Sequence, residues 1–419
     1  MILSFHLASF GFILAIALAV ATSPASAVKC GDKITKKTVL TADLSCGYRN
    51  GSPALEMVGP ATLDLNGHTV LCTQSSADGS IRQVYDGISV RGKGVTIKNG
   101  KITKCERGIA GFELDGALIK DIIATGSGDY GIYVEGNNSR IQNVTAKDSY
   151  YEYYGDGIFV SGSNNRLLHV TVTNITDYSI IVNGDNNQVK DSYVARSELT
   201  GILLSGNNNA IISNSVQNIG YSCIGTYGRD VGNVFRNNTV RRCGGFGVFF
   251  SSNNTIIADN KIDSTEYSGI DGRIWYGTDR ITGTRITGNR ITKSKADGIK
   301  LDGVQDAVVA DNVIVDSAEN AILLKQQSAR CRIKSNTIRN CGMVGLRITG
   351  ADGNNVTDNK ISFCKTGMSA GLGSNDNRLI NNRASYNTGF DLVDFSPDCG
   401  SNVWKGNTGK GNIGCTQKN

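Results

Sequence analysis

Proline is nearly missing from this 419-residue chain, which holds four. Because proline removes a ladder hydrogen bond from a strand interior, its scarcity permits extended pairing of many strands. Histidine is as scarce, at three, one of them within the first 27 residues. His68 falls in a strand and turn and His169 between Leu168 and Val170, so both read as structural and catalysis by histidine is disfavoured. No Cys-x-x-Cys pair, Ser/His/Asp set or Gly-rich phosphate loop stands out. That argues against zinc, triad-hydrolase and nucleotide-binding classes in their usual forms. No basic run accompanies the net charge of +6, so nucleic acid is not expected, while an anionic partner is allowed. Beyond residue 27 no segment approaches the roughly 20 apolar residues needed to cross a bilayer.

What is present is glycine, 51 residues of it, and a repeat. Thirteen times between Gly87 and Gly389 a small residue is followed by an apolar one and an alternating stretch, with a period of roughly 22 to 24 residues. Examples begin at Asp86, Tyr130, Asp156, Thr200, Asp297 and Val344, reading Asp-Gly-Ile-Ser-Val at the first and Val-Gly-Leu-Arg-Ile at the last. A unit this short cannot bury its own apolar face, so successive units must stack and share a core. Each unit contains three short alternating stretches divided by Asn-rich corners such as Asn186-Asn187 and Asp311-Asn312. Asn tolerates left-handed backbone angles and can bond the equivalent amide one turn away. Leucine periodicity is missing, and a propeller blade needs a longer unit. The expectation is an all-β, single-stranded, right-handed parallel β-helix of about 14 coils with three strands per coil.

Residues 1–27 carry an apolar stretch followed by Ser23-Pro24-Ala25-Ser26-Ala27, the pattern of a secretory signal peptide. The expected layout is then 28–85 as an N-terminal cap with the first coils, 86–395 as the repeat domain and 396–419 as a disulfide-capped tail. After cleavage the chain is expected to be secreted, extracellular or in a cell wall, with no membrane association. Its eleven cysteines suit disulfides in an exported chain. Cys341 with Cys364, Cys30 with Cys46 and Cys399 with Cys415 are the expected pairs, and the odd total leaves one thiol. Sequons at Asn137, Asn143, Asn174, Asn237, Asn253 and Asn355 fit a glycoprotein, although several coincide with corner positions where Asn serves the ladder.

Side chains alternate inward and outward along a strand. The first outward column therefore runs Tyr133, Phe159, Ile181, Leu203, Gly225, Phe249, then Asp271, Lys300, Leu323, Arg347. The second ends Tyr227, Ser251, Arg273, Asp302, Lys325, Thr349. Coils stack roughly 4.8 Å apart, so Asp271, Arg273, Lys300, Asp302, Lys325 and Arg347 should form one patch about three coils tall. The longest coil adds Trp275 and Tyr276, candidates for stacking against sugars. A second aromatic cluster, Tyr150-Tyr151-Glu152-Tyr153-Tyr154, marks another long coil. The apolar part of the first column should be covered by the C-terminal segment or serve a ligand or partner.

The repeats, with Leu63-Asp64-Leu65-Asn66-Gly67-His68-Thr69-Val70 near their start, resemble the right-handed parallel β-helix superfamily of pectate-lyase-like and NosD-like proteins. The resemblance covers nearly the whole mature chain and implies a carbohydrate-active or carbohydrate-binding protein. The Asp-Pro-His-Asp/Glu motif of mannuronan epimerases, the Gly-His-Gly motif of polygalacturonases and the paired aspartates of those hydrolases are all missing. Lys325 followed one coil on by Arg347 is similar to the Lys and Arg pair of alginate and chondroitin lyases of this fold, in altered sequence contexts. The resulting expectation is an exported protein acting on an acidic, uronate-containing polysaccharide by β-elimination. Lys300 or Lys325 would be the base if neighbouring cations lowered its pKa, Tyr276 the acid, and Arg347 and Arg273 carboxylate holders. Asp271, Arg273, Asp302, Trp275 and Tyr227 would bind substrate, and Asp271 with Asp302 could orient the lysines or coordinate calcium. A non-catalytic glycan-binding or adhesion module, a glycoside hydrolase using Asp271 and Asp302, and a uronan C5-epimerase remain open.

Overall fold

In the computed structural model the described residues are 27–47, 52–73, 85–149, 155–274, 280–396 and 401–416. Trp275, Tyr276, the cluster Tyr150 to Tyr154, Cys399 and residues 1–26 with the expected signal peptide lie outside them. Among the described residues there is no α-helix, and none is long and apolar enough to cross a membrane.

A single coil shows how the repeat becomes structure. Ile180–Asn183, Gln188–Lys190 and Tyr193–Ser197 are its three strands. Asn186 and Asp191 turn the corners at φ 59° and 50°, angles that Asn and Asp tolerate better than other side chains. The next coil repeats it in parallel: Ile180 pairs with Ile202, Val189 with Ile211 and Val194 with Val216. Every such pair places an apolar residue on an apolar residue, and the buried side chains form one continuous core. Full burial of each Ile or Val contributes about 1.5–3 kcal/mol.

The first strands of the coils make one sheet of sixteen, from Lys33–Ile34 to Leu392–Asp394. Lys33–Ile34 and Leu55–Val58 come from the N-terminal segment, and the remaining fourteen lie within 86–395. The second and third strands form the other sides of the solenoid. The anchor glycine is required by close approach. At Gly298 a Cβ would lie 2.5 Å from Ile314 Cγ2 and 2.6 Å from the Ala321 carbonyl oxygen, so no side chain fits where corner and strand meet.

The asparagine ladder exists and is buried. The backbone N–H of Asn289 donates to Asn312 Oδ1 at 2.9 Å, and that of Asn312 to Asn336 Oδ1 at 3.0 Å. Asn312 Nδ2 also donates to the Ile286 carbonyl at 2.9 Å. One residue type thus satisfies both a donor and an acceptor at each corner. Two sequon residues, Asn237 and Asn355, are exposed beside this ladder, while their neighbours Asn238 and Asn354 hold the buried rungs; Asn137 and Asn253 each accept a backbone N–H from the next coil, from Ser163 at 2.7 Å and Thr282 at 2.8 Å.

Cys30–Cys46 and Cys341–Cys364 are bonded as expected. Cys72–Cys105 and Cys223–Cys243 are two further bridges that spacing did not reveal; a coil length separates each pair in sequence only approximately, so side-chain direction had to be known. Cys415 is disulfide-bonded, and Cys331 is the free, buried thiol among the described residues.

Candidate functional site

The charged positions meet on the outward face of the sixteen-stranded sheet. Ile270–Arg273, Ile299–Asp302, Ile322–Lys325 and Val344–Thr349 are adjacent parallel strands. Their register runs Asp271, Lys300, Leu323, Arg347 in one column and Arg273, Asp302, Lys325, Thr349 in the next. Three steps of roughly 4.8 Å make the patch about 14 Å tall. Sequence positions 76 apart are thereby neighbours on one strip.

Within the patch every charge but that of Arg347 has an ionic partner within 4 Å among the described residues. Arg273 Nε and Nη2 donate to the two carboxylate oxygens of Asp271 at 2.6 and 2.5 Å. Asp271 was expected to point into solvent, yet its side chain is 0% exposed. Phe249 underlies it in register and Lys300 overlies it, while Arg273 closes over it and lies 4.9 Å from the Phe246 ring. Asp302 sits 3.9 Å from both Lys300 and Lys325. The closest charged group to either lysine in these ion pairs is therefore a carboxylate. Lys325 is the more accessible, at 38% against 17% for Lys300, and Arg347 is exposed beyond the buried Leu323.

Aromatic rings border the patch on the coils below. Tyr227 lies 5.4 Å from Phe249, Phe246 lies 5.5 Å from Phe249, and Tyr267 lies 5.2 Å from Phe246. Burial pushes the Tyr178 and Tyr227 hydroxyls above the usual phenol range, and Tyr221 adds to both shifts. Asp297, at the corner before Lys300, is raised by burial against the lowering effect of Asn320, which donates Nδ2 to it at 2.8 Å. Phe246, Tyr221 and Tyr267 escaped the sequence reading, and Asp297 entered it only as a repeat anchor, because the outward columns followed strand positions only. These four occupy the corner two or three residues before each strand, and the same repeat period would have revealed them.

Farther along the first column, Tyr133 and Phe159 stack at 4.9 Å with planes 7° apart, and Tyr130 meets both edge-on. The apolar column is thus covered in part by itself. The described C-terminal residues 401–416 do not lie across it. Val403–Lys405 pairs with Arg378–Ile380 and continues the solenoid at its end.

For calcium, Asp271 spends both carboxylate oxygens on Arg273, and no group of three or more His, Cys, Asp or Glu among the described residues could hold a metal ion. The donor set does not fit, and no chemical step is assigned to a metal ion.

A family model described as "Right handed beta helix region" matches residues 65–190, 178–281 and 274–417. No curated protein matches the chain. Among solved structures, the Azotobacter vinelandii mannuronan C-5 epimerase AlgE6 A-module is similar at 12% identity and TM-score 0.48, covering 86% of this chain and 91% of that one. The periplasmic alginate epimerase AlgG is similar at 15% identity and TM-score 0.45, covering 78% and 77%. A mannuronic acid specific polysaccharide family 6 lyase from human gut microbiota is similar at 12% identity and TM-score 0.39, covering 78% and 82%. At such identities and TM-scores the likeness carries no argument about reaction or substrate.

Proposed function

The chain belongs to the right-handed β-helix region family, and from that premise we propose that it is an exported protein acting on an acidic polysaccharide by β-elimination. The observation that supports this reading is the strip on which Lys300, Lys325 and Arg347 stand on successive rungs, with Asp302 between the lysines. Disulfides that bridge neighbouring segments support export.

β-Elimination from a uronate requires three things: a cation to neutralise the carboxylate, a base for the C5 proton and an acid for the leaving oxygen. Arg347, exposed and planar, suits the carboxylate. Lys325 would have to act in its neutral form to take the C5 proton, with Asp302 3.9 Å away to orient it, while Lys300 shares the neutralising role from the rung below. Tyr276, outside the described residues, is the proposed acid for the leaving oxygen, and with Trp275 it follows Arg273 closely in sequence. The glycan would run along the solenoid axis, crossing one rung per 4.8 Å or so.

A glycoside hydrolase would need two carboxylates free to act, and Asp271 is bound and buried. Binding without turnover is the second reading. It is favoured by the same closed Asp271–Arg273 pair, which leaves part of the strip self-satisfied.

Incubation with a panel of uronans decides between them. The lyase releases products with a new C4–C5 double bond, seen as ultraviolet absorbance, and a binder retains the polymer without that signal. Absence of both binding and product would remove the acidic-polysaccharide reading.

A further inference from the structure

We propose a second polyanion surface on the opposite flanks of the solenoid: the outward faces of its second and third strands, from Val234–Arg236 to Val403–Lys405, bind a linear anionic polysaccharide and hold the protein on it. This surface is separate from the strip on the sixteen-stranded sheet and does not depend on any reaction there.

The sequence shows no basic run, yet the fold builds a basic face. At the first and third residues of these strands stand twelve Arg or Lys and one carboxylate, Asp263. The corner between the two strands adds only Asp259, Asp311 and Asp358. None of the twelve cations enters an ion pair within 4 Å among the described residues; the ion pairs of this half fall on other side chains. In the N-terminal half four lysines of the same faces lie within 4 Å of a carboxylate: Lys98 beside Asp64 at 2.8 Å, Lys120 beside Asp121, Lys147 beside Asp148 and Lys190 beside Asp191 at 3.4 Å. Lys101, Arg140 and Arg166 stand exposed there and unpaired among the described residues, a smaller set than the twelve of the C-terminal half. Holding exposed, unpaired cations side by side costs self-repulsion, which a bound polyanion relieves.

Their spacing narrows the partner. Along the second strands the register runs Arg285, Val308, Arg332, Asn355, Arg378. An arginine therefore recurs every second rung, roughly 9.6 Å, a step comparable to the two-sugar repeat of an extended glycan that bears one acid group per pair. Arg290, Lys360 and Arg383 form a parallel column on the third strands. The outward strand positions between these cations are Val, Asn, Thr, Ser, Ala and Ile; beside them, just after two of the third strands, stands one exposed stacked pair, Phe363 and Tyr386, with Arg339 over the Phe363 ring. Single-stranded nucleic acid binding uses a succession of stacking platforms along a groove, so carboxylated or sulfated polysaccharide is the better match to a long cation row with one such pair.

The test is affinity for heparin and for polygalacturonate, measured with the full chain across a salt series. The triple variant R285S/R332S/R378S should bind at least tenfold more weakly, with a shallower salt dependence. The control K120S/K147S/K190S, which removes lysines beside Asp121, Asp148 and Asp191, should bind normally. Circular dichroism and the melting temperature check that each variant folds. The proposal is overturned if the parent binds neither polymer, if the control weakens binding as much as the triple, or if the triple changes nothing. Tighter binding to duplex DNA than to either polysaccharide would overturn the assigned partner.

Discussion

Asp271 and Arg273, two residues apart on one strand, form a two-point ion pair in which the carboxylate has no exposed surface and the guanidinium is 29% exposed. A sequence with alternating in and out positions puts both on the solvent side. The structure instead folds the longer side chain back over the shorter.

Loss of one partner should therefore cost far more than loss of both. Removing the cation of a buried pair leaves an uncompensated charge, about 3–5 kcal/mol. Arg273→Ala should lower stability by that amount in a denaturant titration. D271N/R273M should recover most of the loss. If Arg273→Ala unfolds at the parental midpoint, the pair is not buried as described.

The Asn ladder gives a second contrast. Asn312→Ala would leave the Asn289 N–H and the Ile286 carbonyl without their partners, each costing about 1–3 kcal/mol. Asn355→Ala, at an exposed position beside the ladder, should stay within about 0.5 kcal/mol of the parent. Comparable midpoints for the two variants would show that the ladder is not structural.

Asp156 makes stability depend on pH. It accepts a hydrogen bond from the Tyr178 N–H at 2.9 Å, but burial, with Asp177 and Asp129 nearby, pushes it up to about 7. Unfolded, it titrates near the ordinary value of about 4. The native state thus holds its proton more tightly, so its contribution is full below about pH 4 and is lost as pH rises through 7. Asp156→Asn keeps the acceptor and removes the charge. Its melting temperature should exceed the parent's at pH 8 and match it near pH 4. A parent no less stable than the variant at pH 8 would contradict the burial argument.

At the proposed site, Lys325→Ala should lower uronan turnover by about 10²–10⁴-fold, the range of general base catalysis. Arg347→Ala should mainly raise KM. The readout is initial rate of ultraviolet absorbance against substrate concentration. Lys300→Ala and Lys325→Ala both leaving turnover intact would move the chemistry off this strip.

How far the sequence could be read depended on whether a feature obeyed the period. The anchors at Gly87, Gly298 and Gly345 repeat because each sits where a side chain would strike a neighbouring rung, so they announce the coil directly. Cys341 and Cys364 share a phase, and their bridge was legible. Cys72 and Cys105 are separated by more than one period, and theirs was not. The columns through Lys300 and Lys325 were read correctly because strand alternation is strict. Phe246 was missed, and Asp297 was read only as a repeat anchor, because corner side chains obey no two-residue alternation.

The sequence by itself determined the coil, its period, the inward apolar set and the rungs on which charged residues stand, since a 22-to-24-residue repeat with one apolar stripe per strand has one way to bury itself. Only the tertiary structure decided which charges are spent and which are free. Asp271 is closed off by a side chain folding across its own strand, and cations scattered through the C-terminal half become one face, because both effects depend on distances between rungs that linear order does not contain.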